Sequence, residues 1–251
     1  MDNIRISLCI PTKNRFDNFL NKYLDDYLDY LKRGIINEIV ITDETGDDYE
    51  KIKNKYQDYL DKNNDFKIYK NTRILGVFVN KHKVSCLATN DLVALIDSDN
   101  FVDDNYFLRV RKFISENKLP EHYIISPDFA APNFDFSHLG GLTVTKNNIK
   151  EHYDKYHFGT LLNTGNYVFT KSIMTNLKYD SSPERLFKIT SCDVIYYNLL
   201  FFQQYEDLIF YSLKGHSYTH VVHSDSEYIK TIQNQDNFNR DFIDPEYRKF
   251  F

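Results

Sequence analysis

At 251 residues, with 31 Lys and Arg against 36 Asp and Glu and a net charge of −5, the chain has the length of one domain with a large core. It carries no basic field for nucleic acid. Three cysteines, Cys9, Cys86 and Cys192, are odd in number and lack any Cys-x-x-Cys pairing, which predicts reduced, mostly buried thiols and a cytoplasmic setting. The N-terminus has no charged-then-apolar leader, and no apolar run approaches the roughly 20 residues needed to span a bilayer, so a transmembrane protein is excluded as an expectation.

Residues 4–11 (IRISLCIP) are β-branched and apolar, and they predict a buried strand closed by Pro11. Phe16, Phe19, Leu20, Tyr23, Leu24, Tyr27, Leu28 and Leu31 recur at helical spacing, with Gly34 as a C-cap. A second strand follows in residues 37–48 (NEIVITDETGDD), ending in polar turn residues, and a second amphipathic helix in residues 49–63. Residues 66–71 predict a short third strand, 77–89 a helix, and 91–99 the next strand.

This β-α-β-α-β-α-β order predicts an α/β fold, a Rossmann-like, mostly parallel sheet with helices on both faces. Three strand ends deliver Thr12-Lys13-Asn14-Arg15, Asp43-Glu44-Thr45 and Asp97-Ser98-Asp99 to one edge. Open α/β sheets bind ligands at that C-terminal edge. Beyond residue 101 the alternation breaks down. Residues 122–144 predict strands and a long loop, 159–174 a turn, a strand and a helix start, and 189–205 a helix with Asp193 near its first turn. Residues 208–226 predict strands ending in a loop with His216, His220 and His223. No linker divides the chain, so residues 1–251 are expected to form a single domain, with 1–100 as its nucleotide half.

The run DLVALIDSDNFVDDNYF (residues 91–107) drives an apolar strand into Asp97 and Asp99, with Asp103 and Asp104 close behind. Such carboxylates repel one another unless a cation lies among them. Residues two apart in extended backbone point the same way. Asp97 and Asp99 can therefore meet one hard cation, Mg²⁺ or Mn²⁺, or divide between a cation and a hydroxyl. A solvated turn is the competing reading, and the position at a strand's C-terminal end favours the site.

The segments SLCIPTKNR, EIVITDETGDD, GVFVNKHKVSCLATNDLVALIDSDN and NTGNYVFTK together resemble the family 2 glycosyltransferases of the GT-A fold. The resemblance runs in order through the first hundred residues and returns near 163–171, 190–194 and 216–226. It implies that Pro11, Thr12 and Arg15 touch the nucleotide and that Asp43 holds the base or ribose, with Thr42 where a second acid is usual. It implies Lys81, where arginine is usual, as a point charge on a phosphate. Asp97 and Ser98 would bind the donor. Asp99 and His223, with His220 as the alternative, would hold Mn²⁺ or Mg²⁺, and Asp97 would reach the metal through water.

Asp193, following Cys192, is implied as the base for the acceptor hydroxyl, with Thr190 or Ser191 capping its helix. The reaction implied is inverting transfer of a sugar from a nucleotide diphosphate sugar, UDP-sugar favoured, to a glycan or other hydroxyl held by residues 101–251. Structural readings stand beside these: Asp43 as a turn cap, Asp193 as a helix-dipole acid, and two of the three histidines as scaffold. Two alternatives differ in class. A sugar-nucleotidyltransferase would carry a Gly-rich phosphate loop after the first strand, which IPTKNR lacks. An inactive carbohydrate-binding relative would have lost a site acid, whereas Asp97, Asp99 and Asp193 are all present.

Overall fold

Strand β1 (Ile6–Thr12) is buried along its whole length and alternates its side chains between two faces. Ile6, Leu8 and Ile10 enter one hydrophobic core and Cys9 the other. The structure is a computed structural model describing residues 4–156, 161–162, 165–182, 186, 189, 193–224, 226, 245 and 248–249. After β1 the elements are α1 (Asn21–Lys32), β2 (Glu38–Asp43), α2 (Asp47–Lys62), β3 (Phe66–Lys70), α3 (Val77–Leu87) and β4 (Leu92–Leu95). Each corresponds to an expected element. The first helix opens differently from its apolar repeat: Phe16–Leu20 form a π-helical turn, in which the Phe19 and Leu20 amides both donate to the Arg15 carbonyl.

The second half contains α4 (Asp104–Glu116), β5 (Tyr123–Ala131), β6 (Phe134–Asp135), β7 (Thr143–Thr145), α5 (Ile149–Tyr156), β8 (Tyr167–Thr170), α6 (Ser172–Thr175), α7 (Asp193–Gln204) and β9 (Ile209–Thr219). Helix α4 is absent from the sequence expectation, which took Asp103 and Asp104 as part of one acidic cluster. Asp103 is instead an N-cap, its carboxylate accepting from the Tyr106 amide at 2.9 Å, and Asp104 pairs with Arg33 at 2.8 Å. Acids at a helix start satisfy orphan amides and the positive end of the dipole, so these two do not belong to the strand-end carboxylates.

The strands form one sheet in the order β3-β2-β1-β4-β8-β5-β9-β7, with β6 paired to β5. β3, β2, β1 and β4 are parallel, β8 is antiparallel to both neighbours, and β9 returns parallel to β5. One face packs on α1, α2 and α4 through Leu24, Tyr27, Ile52, Tyr106 and Phe107; the other packs on α3, α6 and α7 through Phe78, Val84, Met174, Tyr197 and Phe201. Cys9 is buried and Cys86 half-buried, both as free thiols, and burial holds the Cys9 pKa high. Cys192 lies outside the described residues. Among the described residues no helix is long and apolar enough to cross a membrane.

Candidate active site

The parallel arrangement brings the C-terminal ends of β1, β2 and β4 to one edge. Backbone pairing carries past β4, as the Ile96 amide donates to the Cys9 carbonyl, and Asp97 follows at once. The chain then turns: the Asn100 amide closes onto the Asp97 carbonyl at 3.0 Å. This turn corrects the expectation that Asp97 and Asp99 point the same way, because the backbone is no longer extended. Each carboxylate has its own partners.

Asp97 faces inward. Lys81 Nζ lies 2.8 Å from Asp97 Oδ1 and 3.0 Å from Asp193 Oδ2. Lys81 is only 4 % exposed, so it is a buried bridge between two acids far apart in sequence. Burial alone would lower its pKa, and the charges of Asp193 and Asp97 outweigh that and raise it. Asp193, the first residue of α7, has its pKa raised, first by burial and then by Asp97, against the opposing charge of Lys81. The helix that carries Lys81 is fixed at its start by Glu44, whose Oε1 accepts from the Leu75 amide at 2.7 Å and the Gly76 amide at 2.6 Å. Gly76 adopts φ 85°, a conformation that favours glycine, and so lets the loop enter α3.

Asp99 faces a different group. Its Oδ2 is 2.9 Å from His223 Nε2 and 3.8 Å from Arg15 Nε. Phe19, from the π-helical turn, packs against both partners: its ring lies 4.8 Å from that of His223, tilted by 43°, and the Arg15 guanidinium lies 5.9 Å above it. The other two histidines go elsewhere. His220 Nδ1 contacts the Asn133 side chain at 2.9 Å, and His216 is fully buried against the Tyr106 ring at 4.1 Å. Burial pushes the His216 pKa down to about 3.

A carboxylate oxygen and an imidazole nitrogen this close fit two adjacent ligands of one divalent cation. No cluster of three or more His, Cys, Asp or Glu side chains suited to a metal occurs among the described residues. Mg²⁺-type ions ordinarily take one or two protein ligands and complete their shell with water and substrate phosphate, so the Asp99–His223 donor set fits such an ion.

On the nucleotide side, Pro11 and Thr12 end β1, and the Thr12 hydroxyl donates to Asp48 Oδ2 at 2.5 Å. Asp48, missed in the sequence, also accepts from the Arg15 and Phe16 amides and so shapes the β1 turn. Asp43 is 1 % exposed; its two oxygens accept from the Thr45 amide at 3.0 Å and the Tyr49 amide at 2.8 Å, which is the turn-capping arrangement. The acid beside it is Glu44, not the absent partner sought at Thr42, and it too is buried. Ser98 is buried in the turn between the two site aspartates. Thr190 and Ser191, the expected caps of α7, lie outside the described residues.

Residues 7–172, more than half of the chain, match the family model "Glycosyl transferase family 2". No curated protein matches the chain. Among solved structures it is similar to S. aureus TarS, at 12 % identity and a TM-score of 0.62 over 95 % of this chain and 40 % of that one. It is also similar to TarS 1–349, at 14 % identity, a TM-score of 0.64 and 67 % of that chain. The same fragment in complex with UDP-GlcNAc aligns at 13 % identity with a TM-score of 0.65, over 91 % of this chain and 61 % of that one. The chain thus spans less than half the length of the first of these TarS chains. With the matched residues running from β1 to the start of α6, and with the fold shared with these structures, the chain belongs to glycosyl transferase family 2 and has the GT-A fold.

Proposed function

We propose that the chain transfers a sugar from a UDP-sugar to the hydroxyl of a glycan or other acceptor, with inversion at the anomeric carbon. The observation that carries this reading is the meeting of Asp97, Lys81 and Asp193 beside the Asp99–His223 pair at one sheet edge. The TarS structures in complex with UDP and with UDP-GlcNAc support UDP as the nucleotide. Asp99 and His223 are the residues that would hold Mn²⁺ or Mg²⁺, which when bound supplies positive charge to the diphosphate leaving group. Arg15 adds fixed positive charge on the same side. Pro11, Thr12 and Ser98 line the nucleotide side, and Asp43 shapes it by fixing the β2–α2 turn. Lys81 Nζ engages Asp97 Oδ1, leaving Oδ2 for the ribose or sugar hydroxyls.

Asp193 acts as the base. Its burial raises its proton affinity, while Lys81 favours the ionised form that must accept the proton. As the acceptor oxygen forms its bond to the anomeric carbon, Asp193 takes the hydroxyl proton, and the bond from that carbon to the phosphate oxygen breaks to release UDP. Calorimetric titration with UDP tests the donor and the cation together. Binding is expected with Mn²⁺ and is expected to collapse in excess EDTA. Equal affinity in chelator would remove the cation from the proposal, and absence of UDP binding under both conditions would remove the donor.

A further inference from the structure

The segment NTGNYVFTK resembles the family without bringing a role to the chemistry, and its Gly165-Asn166 pair enters the site. Asn166 is 2 % exposed and sits at φ 65°, one of two non-glycine positive-φ residues among those described. Asparagine tolerates this left-handed conformation better than most side chains, yet it remains an uncommon backbone for any residue with a Cβ. Two hydrogen bonds hold it. Its Oδ1 accepts from the Asp97 amide at 2.7 Å, and its carbonyl accepts from the Tyr106 hydroxyl at 2.6 Å. Tyr106 is on α4 and Asp97 follows β4, so a helix and a strand end together lock one residue.

Gly165 beside it admits a close approach. A Cβ there would lie 3.5 Å from Asp97 Oδ2 and 3.3 Å from Val194 Cγ2, next to Asp193. The chain therefore passes close to the Asp97 carboxylate and to the first turn of α7, where a Cβ would crowd Val194.

We propose that Asn166 is a positioning residue for donor binding, setting the start of the Asp97-Ser98-Asp99 turn by holding the Asp97 amide. The carboxylate of Asp97 is aimed by its backbone, and the Asp97 amide would be free to rotate with the turn if Asn166 let go. The left-handed backbone is what lets Oδ1 reach that amide while the Asn166 carbonyl takes the Tyr106 hydroxyl. This inference rests on the reading of Asp97 as a donor-binding residue.

The test compares Asn166→Gly, Asp97→Ala and the double variant in the full chain, with UDP plus Mn²⁺ as the calorimetric probe. Glycine keeps the positive φ and removes only the amide side chain. Asn166→Gly is expected to melt close to the parent while UDP affinity falls about 10–100-fold, the range typical when an outer partner of a binding group is lost. If Asn166 acts through Asp97, the double variant binds no worse than Asp97→Ala alone. Additive losses would make Asn166 a structural residue and overturn the inference. So would parental affinity in Asn166→Gly alongside weak binding in Asp97→Ala. Parental affinity in Asp97→Ala would instead overturn the reading of the site itself, and the inference with it. Should the glycine variant not fold, Tyr106→Phe carries the test. It removes the hydroxyl that holds the Asn166 carbonyl and adds no charge. It is expected to weaken UDP binding severalfold in the parent and not in Asp97→Ala; an equal loss in both backgrounds would count against the proposal.

Discussion

The two ends of the central sheet each bury a carboxylate beside a lysine, and they do so in opposite ways. At the N-terminal edge, Glu38 is 1 % exposed and fully partnered. Lys67 Nζ meets its Oε1 at 2.5 Å, and the Ser7 hydroxyl and Thr89 amide donate to its Oε2 at 2.5 and 2.8 Å. Burial alone would raise its pKa, and these hydrogen bonds outweigh burial and lower it. At the C-terminal edge, among the described residues, Asp97, Asp99 and Asp193 pair with Lys81 and Arg15 as fixed cations, three acids to two bases. There burial wins and the Asp193 pKa rises. A satisfied buried charge belongs to the scaffold, while a charge left under-compensated at a ligand-binding edge marks a site.

The largest effects come from removing each lysine. Lys81→Met leaves Asp97 and Asp193 facing each other without a cation, and is expected to cost about 3–5 kcal/mol of stability and to abolish donor hydrolysis. Lys67→Met leaves Glu38 with its hydroxyl and amide donors, for a smaller expected cost of roughly 1.5–3 kcal/mol, with hydrolysis per folded molecule intact. Urea denaturation of both variants reads the difference, and equal losses would break the contrast between the two edges.

Asp193→Asn sharpens the comparison on the reactive side. It keeps shape and removes basicity, so UDP-sugar hydrolysis is expected to fall by about 10²–10⁴-fold, the usual worth of positioned proton transfer, with UDP affinity little changed. If Asp193 served only the helix dipole, turnover would survive and stability would drop by about 0.3–1 kcal/mol.

The smallest effect is a pH dependence at the other edge. The Glu38 pKa lies below its ordinary value of 4.5 in the folded protein, so its contribution to stability is present above that value and is lost as pH falls through the folded one. Melting temperatures of the parent and Glu38→Gln are expected to converge as pH is lowered from 7 toward 3. A gap that stays constant over that range would mean that Glu38 carries no such linkage.

The repeating strand and helix patterns of the first hundred residues were legible because burial on both sheet faces imposes a local periodicity. Asp97 and Asp99 were legible as candidates because they follow the end of an apolar strand, and Lys81 and Asp193 because their segments resemble those of the family. Helix α4 was hidden because its opening acids, Asp103 and Asp104, read as more of the same cluster until the cap to Tyr106 and the pair with Arg33 are seen. Asp48 and Glu44 were hidden because their partners are backbone amides, which every residue carries alike. By itself the sequence determined the α/β order and the residue types brought to one edge, since both follow from neighbours along the chain. Only the tertiary structure decided that Lys81 joins Asp97 to Asp193, that His223 and not His220 meets Asp99, and that Asn166 holds the Asp97 amide. These depend on the packing of α3, α7, β8 and the end of β9 around β4, and charge pairing across such distances in sequence leaves no local pattern.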